Sequence, residues 1–136
     1  MTQRGLTRQP ETRPAKALVV DDEPVILEYL AEVLEEMGFE VCSAHDVQSA
    51  LRITSGNGSL DVAFVDLALP DRSGLELIAE LNRTHPGLPI VMATTYAAMA
   101  VADLSGRPQG NMVLGKPYDQ KSIADVLRKL NLQTSH

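Results

Sequence analysis

The sequence predicts an α/β fold, a parallel sheet covered by helices on both faces, and three observations predict it. Short apolar runs at residues 17–20, 62–65 and 89–93 have strand length and lack the alternation of a strand with one wet face, as expected for central strands covered on both sides. These runs alternate with segments whose apolar residues recur every three or four positions, the mark of helices with one buried stripe. The acidic, hydroxyl and basic residues that could carry chemistry stand at the ends of the runs, where ligands bind in folds of this kind.

Residues 1–14 are polar, with Arg4, Arg8, Arg13, Pro10 and Pro14, and read as a disordered N-terminal tail. Ala17-Leu-Val-Val20 forms the first strand, and Asp21-Asp22-Glu23 ends it. Pro24 opens a helix in which Ile26, Leu27, Leu30, Leu34 and Met37 share a face, and Gly38 stops it. Residues 39–44 read as a second strand. Asp46 is placed to cap a short helix through about residue 53, and Ser55-Gly-Asn-Gly-Ser59 reads as a turn. Val62-Ala-Phe-Val65 is the third strand, ending in Asp66. Ser73-Gly-Leu-Glu76 has capping-box spacing for a helix through about residue 83. Residues 89–93 form a fourth strand ending in Thr94-Thr95-Tyr96, and residues 97–104 a weaker helix ended by Gly106 and Pro108. Met112-Val-Leu114 is a short fifth strand before Lys116-Pro117, and Asp119 caps a last helix bearing Ile123, Val126, Leu127 and Leu130. The total is five strands and five helices.

Composition narrows the function. A chain of 136 residues with 44% hydrophobic and 22% charged residues suits one soluble domain. The net charge of −6 argues against direct nucleic-acid binding. The apolar runs fall far below the roughly 20 residues needed to span a bilayer. The single Cys42 allows no internal disulfide, and with no secretory leader the cytoplasm is expected. Cys42 itself reads as a small buried hydrophobe. His45, His85 and His136 are scattered as surface residues, and no Gly-rich phosphate cradle or Ser-centred triad is present.

In a parallel α/β sheet the strand ends meet along one rim, which gathers Asp21, Asp22, Asp66, Thr94 and Lys116. Taken singly, each has a plainer reading as a cap, a turn residue or a strand-end filler; together and in this order they make a site. Carboxylates a few ångströms apart repel by about 4 kcal/mol per pair at an effective dielectric near 20. A divalent cation relieves that crowding, and oxygen donors without His or Cys suit Mg²⁺. A carboxylate can also attack phosphorus to form an aspartyl phosphate, with one Lys and one hydroxyl to neutralise and orient the group.

Those residues sit in stretches that resemble one family. Leu18-Val-Val-Asp-Asp-Glu-Pro24, Val65-Asp-Leu-Ala-Leu-Pro-Asp-Arg-Ser-Gly-Leu-Glu-Leu77, Pro89-Ile-Val-Met-Ala-Thr94 and Gly115-Lys-Pro-Tyr118 are similar to the receiver domains of two-component response regulators, over about residues 16–131. The resemblance implies a flavodoxin-like doubly wound sheet in the order 2-1-3-4-5, a receiver domain over 15–132 and a short C-terminal tail at 133–136. It implies Asp66 as phosphoacceptor, and Asp21, Asp22, Asp66 and the Ala68 backbone carbonyl as Mg²⁺ ligands. It further implies Thr94 and Lys116 as the groups that meet the phosphoryl oxygens. A sensor histidine kinase or histidine phosphotransfer protein is the implied donor, and a downstream protein is contacted through the fourth helix, fifth strand and last helix. Many receivers carry an aromatic switch three residues before the Lys; here that position is Val113, with Tyr96 and Tyr118 as candidate replacements. Thr95 stands where Ala or Gly is usual, and Met92-Ala-Thr-Thr-Tyr96 resembles the Phe-Ala-Thr-Gly-Tyr run of some alphaproteobacterial stand-alone receivers.

The reading is therefore a signalling domain, not a turnover enzyme, acting alone through protein contact or as a phosphate sink. The alternative is a module excised from a larger hybrid kinase or regulator. An Asp-nucleophile phosphatase would place a second acid two residues after Asp66, where Ala68 stands. A degenerate receiver that only binds a partner would lack site residues, and none is missing.

Overall fold

A computed structural model describes residues 14–56, 58–95, 97–98 and 112–132. Five strands, β1 (Lys16–Val20), β2 (Glu40–Ala44), β3 (Val62–Val65), β4 (Ile90–Thr95) and β5 (Met112–Lys116), form one parallel sheet in the order β2-β1-β3-β4-β5. Four helices lie among the described residues: α1 (Pro24–Glu36), α2 (Val47–Gly56), α3 (Gly74–Thr84) and α4 (Gln120–Lys129). The further helix expected at 97–104 lies outside the described residues beyond its first two positions, as do both expected tails apart from Pro14.

The apolar strand runs are explained by two cores, one on each face of the sheet. Alternate residues of β1, β3 and β4 point to opposite sides. Ala17, Val19, Val62, Phe64, Val91 and Ala93 meet Leu30 and Leu34 of α1 and Ile123 and Leu127 of α4. Leu18, Val20, Ala63, Val65, Ile90 and Met92 meet Val47 and Ala50 of α2 and Leu77, Ile78 and Leu81 of α3. A strand with one wet face could not serve both layers. The predicted two-faced parallel sheet is the observed one.

Boundaries differ where local hydrogen bonding outlasts the apolar pattern. Helix α2 runs to Gly56 rather than about residue 53: Thr54 is buried, its hydroxyl donating to the Leu51 carbonyl, and the Ser55 hydroxyl does the same to Arg52. Strand β5 extends two residues past Leu114, because Gly115 and Lys116 pair in register with Thr94 and Thr95. Lys116 therefore ends the strand rather than following it. Cys42 is half-buried, not fully buried, because β2 is an edge strand, and it packs against the α2/α3 core. The caps fall as expected. Gly38 has φ +99°, the left-handed conformation that stops α1, Ser73 Oγ accepts from Leu75 N at 3.1 Å, and Asp119 Oδ1 from Ser122 N at 2.9 Å.

Leu81 is fully buried in the α2/α3 core, so Leu81→Ala should lower stability by about 2–5 kcal/mol, measured as a fall in urea midpoint at an unchanged slope.

Candidate functional site

The sheet register builds the rim. Val20 of β1 pairs with Val65 of β3, so the residues that follow, Asp21 and Asp66, leave adjacent strands side by side. Each is held by one more main-chain bond continuing from the ladder: Asp21 N donates to Ala44 O at 3.1 Å and Asp66 N to Val20 O at 3.0 Å. Thr94 and Lys116 close the row from β4 and β5, whose ends lie in register, Thr94 opposite Gly115 and Thr95 opposite Lys116.

These side chains converge on Asp66. Its Oδ1 accepts from the Thr94 hydroxyl at 2.8 Å and from the Ala68 N–H at 3.1 Å. Its Oδ2 accepts from Lys116 Nζ at 3.0 Å. The same ammonium lies 2.8 Å from Asp21 Oδ2 and 3.4 Å from Glu23 Oε1. Asp21 Oδ1 takes the Glu23 N–H at 2.9 Å, so this carboxylate both braces the entry to α1 and faces the site. Asp21, Asp66 and Thr94 are only 2%, 4% and 1% exposed, whereas Asp22 is exposed. One carboxylate oxygen from each of Asp21, Asp22 and Asp66 can be chosen so that all lie within 4.8 Å of one another. Three hard oxygen donors that close, with a side open at Asp22, fit a small divalent cation that keeps some of its waters.

Electrostatics follow from one cation serving two buried acids. Burial pushes the Asp21 carboxyl above its ordinary range, and the charge of Asp66 adds to this; the Lys116 and Glu23 hydrogen bonds offset it only in part. For Lys116, burial alone would disfavour the ammonium, but hydrogen bonds and charges from both Asp21 and Asp66 outweigh it and hold the group above its ordinary value. The balance is thus unequal: Lys116 gains two buried carboxylates, while those two acids share one ammonium. Lys116 stays charged at neutral pH, and its contribution is lost only as pH rises through its elevated value.

Several contacts were not foreseen from the sequence. Glu23 joins the Lys116 cluster. A Cβ on Gly74 would lie 2.1 Å from the Asp66 carbonyl oxygen and 2.8 Å from Leu67 Cα, so only glycine lets α3 start against the peptide of Asp66. Asp71 accepts from Val47 N and Gln48 N of α2, both at 3.0 Å. The signals were present, in the acidic run 21–23 and in Asp71–Gly74, but partners so far apart in sequence cannot be assigned without the fold. Of the three switch candidates besides Thr94, Val113 is 39% exposed and Tyr96 lies outside the described residues. Tyr118 packs against the α1/α4 core with its hydroxyl buried and without a hydrogen-bond partner among the described residues. Burial, then the negative charge of Asp21, raises its pKa above the ordinary value.

Residues 17–128 match the family described as response regulator receiver domain. The chain belongs to that family. Receiver domains are the signalling modules of two-component systems, and they bind Mg²⁺ through an acidic pocket of this kind. This receiver domain is 32% identical over 127 residues to the probable transcriptional regulatory protein TcrX of Mycobacterium tuberculosis, covering 93% of this chain and 54% of that protein. It is 34% identical over 120 residues to the response regulator PilR of Pseudomonas aeruginosa, covering 85% of this chain and 27% of that one. The chain thus spans about half of the first relative's length and about a quarter of the second's. Among solved structures, the Thermotoga maritima response regulator TrrA, crystallised with Mg²⁺-BeF, superposes with a TM-score of 0.73 at 32% identity, covering 85% of this chain and 98% of that one.

The raised pKa of Asp21 has a measurable sign. A carboxyl that holds its proton more tightly when folded contributes stability that is full below its unfolded value, near 3.8, and is lost as pH rises through the elevated folded value. In EDTA at neutral pH, Asp21→Asn should therefore raise the urea midpoint above that of the wild type. The gain should shrink as pH falls and Asp21 itself becomes protonated; a gain independent of pH would contradict this origin.

Proposed function

We propose that this receiver domain accepts a phosphoryl group on Asp66, with Mg²⁺ held by carboxylates of Asp21, Asp22 and Asp66 and by the Ala68 backbone carbonyl. The observation that carries the reading is the environment of Asp66: a buried carboxylate with a hydroxyl and an N–H on one oxygen and an ammonium on the other, beside two further acids. A structural aspartate does not need donors converging on it from three separate segments.

In the reaction, a carboxylate oxygen of Asp66 attacks phosphorus in line with the bond to the donor. That O–P bond forms as the donor's bond to phosphorus breaks, and the bonding pair leaves with the donor, a phosphohistidine of a sensor kinase or phosphotransfer protein. The bond donors already aimed at Asp66, from Thr94, Lys116 and the Ala68 N–H, are placed to turn to the oxygens of the incoming group, where negative charge must be stabilised. Bound Mg²⁺ supplies charge neutralisation for carboxylates and phosphoryl oxygens together. Thr94 and Lys116 would then favour the conformation that binds the target. Tyr118 is the better candidate than Val113 to reorganise with them, because its buried hydroxyl has a hydrogen bond to gain.

The partners are a histidine kinase or phosphotransfer protein and a downstream protein, with no direct nucleic-acid contact. The setting is the cytoplasm, and no helix among the described residues is long and apolar enough to cross a membrane. The domain acts as a stand-alone regulator or phosphate sink, or as a module of a longer regulator. With Ala68 where a second acid would act, turnover of outside phosphate esters is not favoured.

Incubation with acetyl phosphate and Mg²⁺ followed by intact-mass analysis should show one added phosphoryl group on the wild type and none on Asp66→Asn. Labelling of the variant to the same extent would sink the assignment.

A further inference from the structure

The loop from Asp66 to Ser73 is anchored at both ends. At the start, Leu67 is buried in the α2/α3 core and its carbonyl accepts from Gly74 N at 2.9 Å. At the close, Ala68 and Ser73 form an isolated antiparallel bridge, and Ser73 caps α3. The turn between them carries Asp71. Its side chain reaches a different helix: Oδ1 accepts from Val47 N and Oδ2 from Gln48 N, 24 and 23 residues away, both at 3.0 Å. Oδ1 also accepts from Arg72 N at 2.9 Å, which closes the turn on itself.

Helix α2 already has an ordinary cap. Asp46 Oδ1 accepts from Ser49 N at 2.7 Å, and the Asp46 carbonyl from Ala50 N at 3.2 Å. Asp71 takes the two N–H groups that this cap leaves over, so the N–H groups of Val47, Gln48 and Ser49 are satisfied by two carboxylates from different segments. Both oxygens of Asp71 are bound to one rigid helix end, and a charge there is favoured by the helix dipole. That makes the contact a two-point clamp on the acceptor loop.

We infer that Asp71 is a positioning residue for the site: it clamps the acceptor loop to α2 and so fixes where the backbone of Ala68 sits. The consequence for Mg²⁺ and phosphoryl transfer rests on the proposed function, in which the Ala68 carbonyl is a metal ligand and its N–H a phosphoryl donor. Ala68 is bridged to Ser73, two residues beyond the clamp, so freedom at residue 71 passes directly to it. Groups that orient a ligand from outside the coordination sphere commonly change metal affinity by about ten- to a hundredfold when removed.

Asp71→Ala and Asp46→Ala separate the clamp from capping, since each removes side-chain bonds to the start of α2 but only Asp71 touches the loop. Both should lower the melting temperature. Only Asp71→Ala should weaken Mg²⁺ binding, by about tenfold in calorimetry, slow acetyl phosphate labelling, and speed amide hydrogen exchange at Ala68 and Gly74. Asp71→Asn, which keeps one acceptor oxygen, should recover part of the loss. Equal effects of the two alanine variants on Mg²⁺ affinity, or unchanged exchange at Ala68 and Gly74 in Asp71→Ala, would overturn the inference. If the wild type neither binds Mg²⁺ nor is labelled, the proposed function fails, while the exchange measurement still decides whether Asp71 clamps the loop.

Discussion

One ammonium group holds the carboxyl edge of this sheet together. Lys116 Nζ lies 2.8 Å from Asp21 and 3.0 Å from Asp66, two acids that the register of β1 and β3 forces to emerge side by side and that the protein buries almost completely. Two like charges so placed are costly unless a cation is shared between them. Burial pushes the Asp21 carboxyl above its ordinary range, and the shared ammonium offsets this only in part. A site with unspent negative charge and nearby exposed Asp22 is one that a second cation can enter. Stability is given up for that opening, as is common where groups are arranged for chemistry rather than for packing.

The fold was largely legible in the sequence because two-faced burial writes itself as wholly apolar strand runs. Phe64 and Val65 are consecutive in sequence, yet they serve opposite cores, and no alternating pattern could have encoded that. The positions at the ends of those runs were legible for the same reason: Asp21 and Asp66 interrupt apolar stretches abruptly. What could not be read was pairing across distance. Glu23 bears on Lys116, 93 residues away, and Asp71 on the start of α2. In the sequence both look like ordinary solvated acids. The end of β5 was misjudged for a related reason, since Gly115 and Lys116 are strand residues by virtue of β4 beside them, not by their own propensity.

The loop after β3 shows how closely backbone and site are joined. Gly74 is required because any side chain would strike the Asp66 carbonyl, Ser73 starts α3 at that point, and Asp71 ties the intervening turn to α2. The short motif from Asp66 to Gly74 is thus a mechanical unit: a carboxylate at one end, a contact only glycine permits at the other, and a clamp between.

The most direct test of the central role of Lys116 is calorimetric titration of Mg²⁺ into the wild type and Lys116→Met at neutral pH. If the ammonium is the internal competitor for Asp21 and Asp66, the variant binds Mg²⁺ more tightly than the wild type. Equal or weaker binding by Lys116→Met would contradict the account.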